Sequence, residues 1–204
     1  MTIQPIVEGH GDVLAVPDLL RRLVHEAGYP DVTVSGAIRA KRSELVQKDS
    51  LERYISLARM KAPDAILILF DGDDDCPAEL AGQVLEWASN AAEPTPCEIV
   101  IATREYEAWF LAAIESLRGK RGIAENAVRE STPENHRDAK GLLETKMIAG
   151  HFYVERTDQV ALTAVFDMAI TYRSCRSFRR MVKAFGSLTA ACGITLAAWP
   201  PAHW

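Results

Sequence analysis

An apolar run, Ala65-Ile66-Leu67-Ile68-Leu69-Phe70, ends abruptly in Asp71-Gly72-Asp73-Asp74-Asp75. Four carboxylates within five residues repel one another, so a fold holds them together at a cost unless water or a cation separates them. Mg2+ or Mn2+ suits such a cluster, because a hard divalent ion takes oxygen ligands and binds through one or two carboxylates plus water and substrate phosphate. The alternative is a solvated loop in which Asp75 or a neighbour caps the next helix. The N-terminal segment repeats the pattern: Thr2-Ile3-Gln4-Pro5-Ile6-Val7 reads as a strand and is followed by Glu8-Gly9-His10-Gly11-Asp12. Gly9 and Gly11 allow a tight strand-to-helix turn whose amides face an anion such as phosphate. Asp12 is also a candidate N-cap for the helix that follows, a role that leaves Glu8 unexplained.

The elements needed to bring these acids together are legible from periodicity. Residues 13–28 carry Val13, Val16, Leu19, Leu20, Leu23 and Val24 at helical spacing and close with Gly28 and Pro30. A second strand is expected over residues 32–38 and a helix over 43–61, ended by Pro63. The acidic strand follows, then a helix over 77–92 and a fourth strand over 98–102. Strands alternating with helices imply right-handed crossovers and a four-stranded, mainly parallel, Rossmann-like α/β sheet. Ligands in such sheets bind beyond the carboxyl ends of the strands, where Glu8 and Asp71 fall. Thr103 to Leu111 opens an amphipathic helix with Glu105 and Glu107 in its first turn. There they either complement the helix dipole or, for Glu107, complete a metal site. Trp109, Phe110 and Leu111 read as core. Residues 118–137 read as a mobile polar loop. Helices are expected from Asp138, over 159–170, and through the basic stretch from Arg176 to Phe185. The division is therefore an α/β domain over residues 1–117 and a helical extension over 118–204.

Composition narrows the class of function. The 204 residues are 48% hydrophobic, enough for a sizeable core. No apolar run reaches the roughly 18 residues of a membrane span and no signal peptide is legible, so a cytoplasmic protein is expected. Cys76, Cys97, Cys175 and Cys192 lack CxxC spacing and read as reduced thiols. The net charge of −5 hides an asymmetry: residues 1–116 carry ten Lys and Arg against twenty Asp and Glu, whereas residues 117–204 carry thirteen against eight. An acidic, metal-binding half beside a basic half suits a nucleic-acid substrate, although basic helices are also ordinary solvated faces. His25, His136, His151 and His203 show no ligand spacing, and His10 reads as a turn residue.

Glu8-Gly9 at the first strand end and Asp71-x-Asp73 at a later one resemble the TOPRIM domain of topoisomerases, primases and overcoming-lysogenization-defect nucleases. More closely, Val7-Glu8-Gly9, Glu105-x-Glu107-x-Trp109-Phe110-Leu111, Asp138-x-Lys140 and Arg173-Ser174-Cys175-x-Ser177-Phe178 resemble a bacterial TOPRIM-like family, domain of unknown function 4276. The resemblance implies that Glu8 acts as acid or base beside the scissile phosphate and that Asp71 and Asp73 hold Mg2+. Asp12, Asp75 and Glu107 are then candidates for a second ion, and Lys140 or Arg104 for contact with phosphate. A topoisomerase would need a nucleophilic tyrosine in a large separate domain, which cannot be assigned here. The implied activity is a metal-dependent nuclease or phosphodiesterase acting on DNA or RNA. The family context implies an ATPase partner of the AAA class in defence or repair. The rival is a non-catalytic subunit that binds metal or nucleotide beside such an ATPase; this chain has no Walker-type glycine loop of its own.

Overall fold

The computed structural model describes residues 1–75 and 77–204. The expectation for Cys76 lies outside the described residues; Cys97, Cys175 and Cys192 are free thiols. The sheet is built on three well-formed parallel strands, β1 (Thr2–Val7), β4 (Ala65–Asp71) and β5 (Cys97–Ala102), with Ile6 opposite Ile68 and Ile68 opposite Ile99. Two short strands, β2 (Thr33–Val34) and β3 (Ile38–Arg39), both pair in parallel with the free edge of β1, giving five strands among the described residues.

The fold class is therefore the expected parallel α/β sheet, with one strand more than the four anticipated. The single strand expected over 32–38 is interrupted because the buried Gln4 side chain donates from Nε2 to Gly36 O at 2.8 Å, filling the gap in the ladder. An interruption also splits the helix expected over 43–61 into α2 (Arg42–Leu45) and α3 (Lys48–Arg59). Glu44 accepts from Lys41 N and from the Tyr54 hydroxyl, which folds the two pieces onto each other and places Arg42 beside the end of β4.

Alternation along the buried strands sends side chains to two separate cores. Ala65, Leu67 and Leu69 pack with α1 (Asp12–Ala27) and with helices from the C-terminal half. Ile66, Ile68 and Phe70 pack with α3 and α4 (Pro77–Ala92). The first of these cores continues through α5 (Ala108–Ala112), α6 (Ala139–Thr145), α7 (Glu155–Thr163), α8 (Met168–Ser174) and α9 (Arg176–Ala191). At its centre Trp109 is fully buried, 5.2 Å from the Phe178 ring, with its indole N–H on Ser177 Oγ.

Two readings of the C-terminal half are corrected. The helix expected over 159–170 is two helices, because Asp167 caps α8 through Ile170 N, while Arg22 donates to the free carbonyls of Thr163 and Phe166 at the break. Residues 118–137 are a pinned connection rather than a free polar loop. Ile123, Ala127 and Pro133 are buried, and Glu134 accepts from the backbone N–H groups of Arg176 and Ser177 at the start of α9. The C-terminal tail is docked, with Trp199 packed on Phe185 and donating to Val182 O. No helix among the described residues is long and apolar enough to cross a membrane.

Candidate active site at the strand carboxyl ends

From β1 the chain winds one way to β2 and β3, whereas β4 and β5 lie on the other side of β1. The winding direction thus reverses between β1 and β4, and the crevice at such a reversal is where open α/β sheets bind ligands. Glu8 follows β1 and Asp71 ends β4. The Glu8 side chain reaches the backbone of Asp71, with Oε2 accepting from Asp71 N at 3.3 Å, its charge acts on the Asp71 carboxyl, and Asp71 Oδ1 accepts from Tyr106 N at 3.0 Å.

Asp12 joins them by a route that capping does not describe. Gly11, not Asp12, precedes the first helical turn, and Asp12 reaches backward, with Oδ2 accepting from Gly9 N at 2.8 Å and Oδ1 from Gln159 Nε2 at 2.7 Å. The Gly11 amide donates to Glu155 Oε1 at 3.1 Å. The two glycine amides are thus occupied by the protein's own carboxylates rather than turned out as an anion cradle. Nor does either glycine adopt a left-handed conformation. They are required by close approach, since a Cβ on Gly11 would stand 1.8 Å from Gln159 Oε1 and 2.9 Å from Glu155 O.

Glu107 precedes α5 and is 2% exposed. Beside it are Lys140, Glu105 and the Tyr153 hydroxyl. Lys140 Nζ pairs with Glu155 Oε2 at 2.8 Å, and its backbone N–H donates to Glu105 Oε2 at 2.8 Å. Burial and mutual repulsion push the acids up. Glu8 rises to about 7, mainly through burial and then the charges of Asp73 and Asp12, against the Asp71 N–H and Arg42. Glu107 also rises to about 7, through burial and Glu105, against Lys140 and Tyr153. Asp71 lies well above the usual range through burial and the charges of Asp12, Glu107 and Glu8, and Asp12 is raised mainly by burial. Burial alone would lower Lys140, but Glu155, Glu107 and Glu105 outweigh it and raise the ammonium.

These shifts predict a pH dependence. A carboxyl whose folded pKa exceeds its unfolded value of 4.5 contributes stability below that value and loses it as pH rises through about 7. Urea unfolding in the presence of EDTA should therefore show lower stability at about pH 8 than at about pH 5. The Glu107→Gln variant should remove about 2 kcal/mol of that fall. Equal stability at both pH values in the unmodified protein would show that the acids ionise freely.

The remaining acids of the loop face elsewhere. Asp73, in a left-handed conformation at φ 48°, pairs through Oδ2 with Arg42 Nε at 3.2 Å. Asp75 pairs with the same guanidinium. Asp74 Oδ1 accepts from Arg104 at 2.6 Å and lies 3.2 Å from Arg137 Nε. Arg104 therefore holds the acidic loop. Of the candidate ligands, Glu8, Asp12, Asp71 and Glu107 share one cluster, with Lys140 among them. Asp73 and Asp75 lie at its rim on Arg42. Among the described residues, no three acidic, histidine or cysteine side chains already meet at metal-binding geometry.

Three residues of the cluster escaped sequence reasoning: Tyr153, Glu155 and Gln159. Glu155 and Gln159 reach Gly11 and Asp12 across more than a hundred residues of chain, Tyr153 reaches Glu107 from a later element, and no local motif marks them. Gln159 Oε1 is buried without a hydrogen-bond partner, which is unusual for a polar atom inside a fold. A larger cleft of about 650 Å³ between α9 and the C-terminal tail is lined by Tyr172, Val182, Leu196 and Trp199, and none of these acids reaches it.

A doubly wound parallel sheet with buried acids at its winding reversal defines an α/β protein with an acidic strand-end site. Residues 7–185 match the family described as Domain of unknown function (DUF4276), and the chain belongs to that family. No curated protein and no solved structure matches it.

Proposed function

We propose that this protein is a divalent-metal-dependent phosphodiesterase of TOPRIM type that cleaves nucleic acid. One observation carries the reading: Glu8 and Asp71 lie side by side at the winding reversal, inside a group of acids too crowded and buried to ionise together without a cation. The donor set fits Mg2+ or Mn2+, being composed of carboxylate oxygens and the unpartnered Gln159 Oε1. Glu8 and Asp71 would hold the ion, joined by Asp73, with Asp12 and Glu107 available to a second. An ion bound there supplies an acidified water and offsets charge on the phosphoryl oxygens.

The protein's own groups account for the rest. Glu8, raised by burial, either completes the ion's coordination or, where the ion rests on Asp71 and Asp73, moves a proton beside the reacting phosphate. Lys140 is kept charged by Glu155, Glu107 and Glu105, and offers a fixed positive group to a phosphoryl oxygen. A TOPRIM relation is supported by the order of the acids along this sheet. An ATPase of the AAA class, acting with this chain in defence or repair, belongs to the same reading.

The test is incubation of the purified protein with plasmid, single-stranded DNA and RNA in Mg2+ or Mn2+. Cleavage that EDTA abolishes is expected. No cleavage of any substrate, alone or with an ATPase of that class, would favour a non-catalytic subunit that binds metal or nucleotide.

A further inference from the structure

Three arginines from separate parts of the chain converge on the acidic loop. Arg42 comes from α2, Arg104 from the turn after β5, and Arg137 from the connection before α6. Arg42 holds more than its two carboxylates, since its Nε also donates to Asp71 O at 3.1 Å. Arg104 is locked by exchange with the loop backbone: Asp73 N donates to Arg104 O at 3.1 Å, and Arg104 Nη1 donates to Asp73 O at 2.9 Å. Exposure separates the two sides of these pairs. The side chains of Asp73, Asp74 and Asp75 are 60%, 69% and 56% exposed, whereas those of Arg42 and Arg104 are 21% and 26% exposed. The guanidiniums of Arg42 and Arg104 are therefore held by the fold, whereas their carboxylate partners and Arg137, 76% exposed, face solvent. A cleft of about 470 Å³ opens on the Arg104 side of the loop, lined by Asp73, Asp74, Asp75, Arg104, Glu134 and Asn135; Arg42 lies outside it.

A guanidinium binds phosphate as readily as carboxylate. Exchange of Asp73 for a phosphate at Arg42 trades one anion for another and leaves the bond to Asp71 O in place. We propose that Arg42 keeps the Asp73 carboxylate, already close enough to act on Glu8, paired and unavailable to an ion until a phosphodiester replaces Asp73 on that guanidinium, so that binding of nucleic acid and binding of the divalent ion strengthen each other. The inference rests on the metal-dependent reading above and extends it to the order in which the site assembles. Freed of Arg42, Asp73 joins Glu8 and Asp71, whose strand ends already adjoin the loop. Each ligand raises the affinity of the other by the same factor, as linkage requires.

The test is Mn2+ binding to the full chain, read by electron paramagnetic resonance of the free ion, with and without a non-cleavable phosphorothioate DNA oligonucleotide. In the unmodified protein the oligonucleotide should tighten Mn2+ binding by about tenfold, within the usual range of coupling between sites. Arg42→Gln should bind Mn2+ alone more tightly than the unmodified protein and lose the tightening. Arg42→Lys, which keeps the charge beside the loop but not the fork, should fold normally and show a reduced tightening. Full tightening in Arg42→Gln, or weaker Mn2+ binding by that variant alone, overturns the exchange. Mn2+ binding that disappears in Glu8→Gln but is indifferent to the oligonucleotide overturns the exchange and leaves the metal reading standing. Absence of Mn2+ binding in the unmodified protein overturns both.

Discussion

The double variant Glu8→Gln, Asp71→Asn is expected to be more stable than the unmodified protein at about pH 8, yet unable to bind Mn2+ or cleave nucleic acid. Both amides keep the bonds that organise the strand ends, because a carboxamide oxygen still accepts from Asp71 N (now Asn) and from Tyr106 N, as the carboxylates do. The substitutions remove two negative charges from a group in which Asp12, Glu107 and Glu105 already repel them. The gain should be about 1–3 kcal/mol, the scale on which replacing poorly compensated buried charge stabilises a fold. Cleavage should fall by more than about 10³-fold, since loss of the ion adds to the loss of an acid–base group. Urea unfolding at both ends of the pH range separates the two effects, since the gain should shrink at low pH, where the acids are protonated in either protein. A variant that is less stable at high pH, or that binds Mn2+ unchanged, would remove Glu8 and Asp71 from the site proposed here.

Gly11→Ala should be among the most damaging small changes in the chain. Gly11 has ordinary helical dihedrals, φ −68° and ψ −38°, so backbone freedom is not the reason for glycine. The reason is the approach of α7: the added methyl would meet Gln159 Oε1, Glu155 Cγ and Glu155 O, the last of them backbone. Relief requires α7 to move off α1, which breaks the Gly11 N–H bond to Glu155 and shifts the partner of Lys140. A loss of about 2–3 kcal/mol is expected, in line with overpacking of a close contact. It is read as a lower urea midpoint at unchanged slope, together with a lower cleavage rate. Gly82→Ala is the contrasting substitution. Gly82 lies inside α4 with open space where its Cβ would fall, so alanine there should add about 0.5–1 kcal/mol. A neutral Gly11→Ala would show that α7 is free to slide on α1.

Legibility followed the range of the forces involved. Apolar runs that stop at Glu8 and Asp71 announce buried parallel strands and their ends, because burying a strand on both faces demands such a run locally. Once the sheet is parallel, the carboxyl ends of adjacent strands must share one edge, so the meeting of Glu8 and Asp71 was already implied by the order of elements. The burial of Trp109, Phe110 and Leu111 was legible for the same reason. Interruptions were not. The breaks at Gly36 and after Thr163 depend on Gln4 and Arg22 reaching in from other elements to satisfy backbone groups, and no periodicity records a distant donor.

The sequence by itself determined a parallel α/β sheet with acids at two strand ends, because strand burial and helix amphipathicity are written in local spacing. Only the tertiary structure decided what surrounds those acids. Folding brings Glu155 and Gln159 across more than a hundred residues onto Gly11 and Asp12, and leaves Lys140 inside the cluster. It also turns Asp73, Asp74 and Asp75 toward Arg42, Arg104 and Arg137. Charge alone does not choose among partners, since every acid attracts every base. The choice is made by which groups the packed elements bring within a few ångströms of one another, and that is a property of the assembled core.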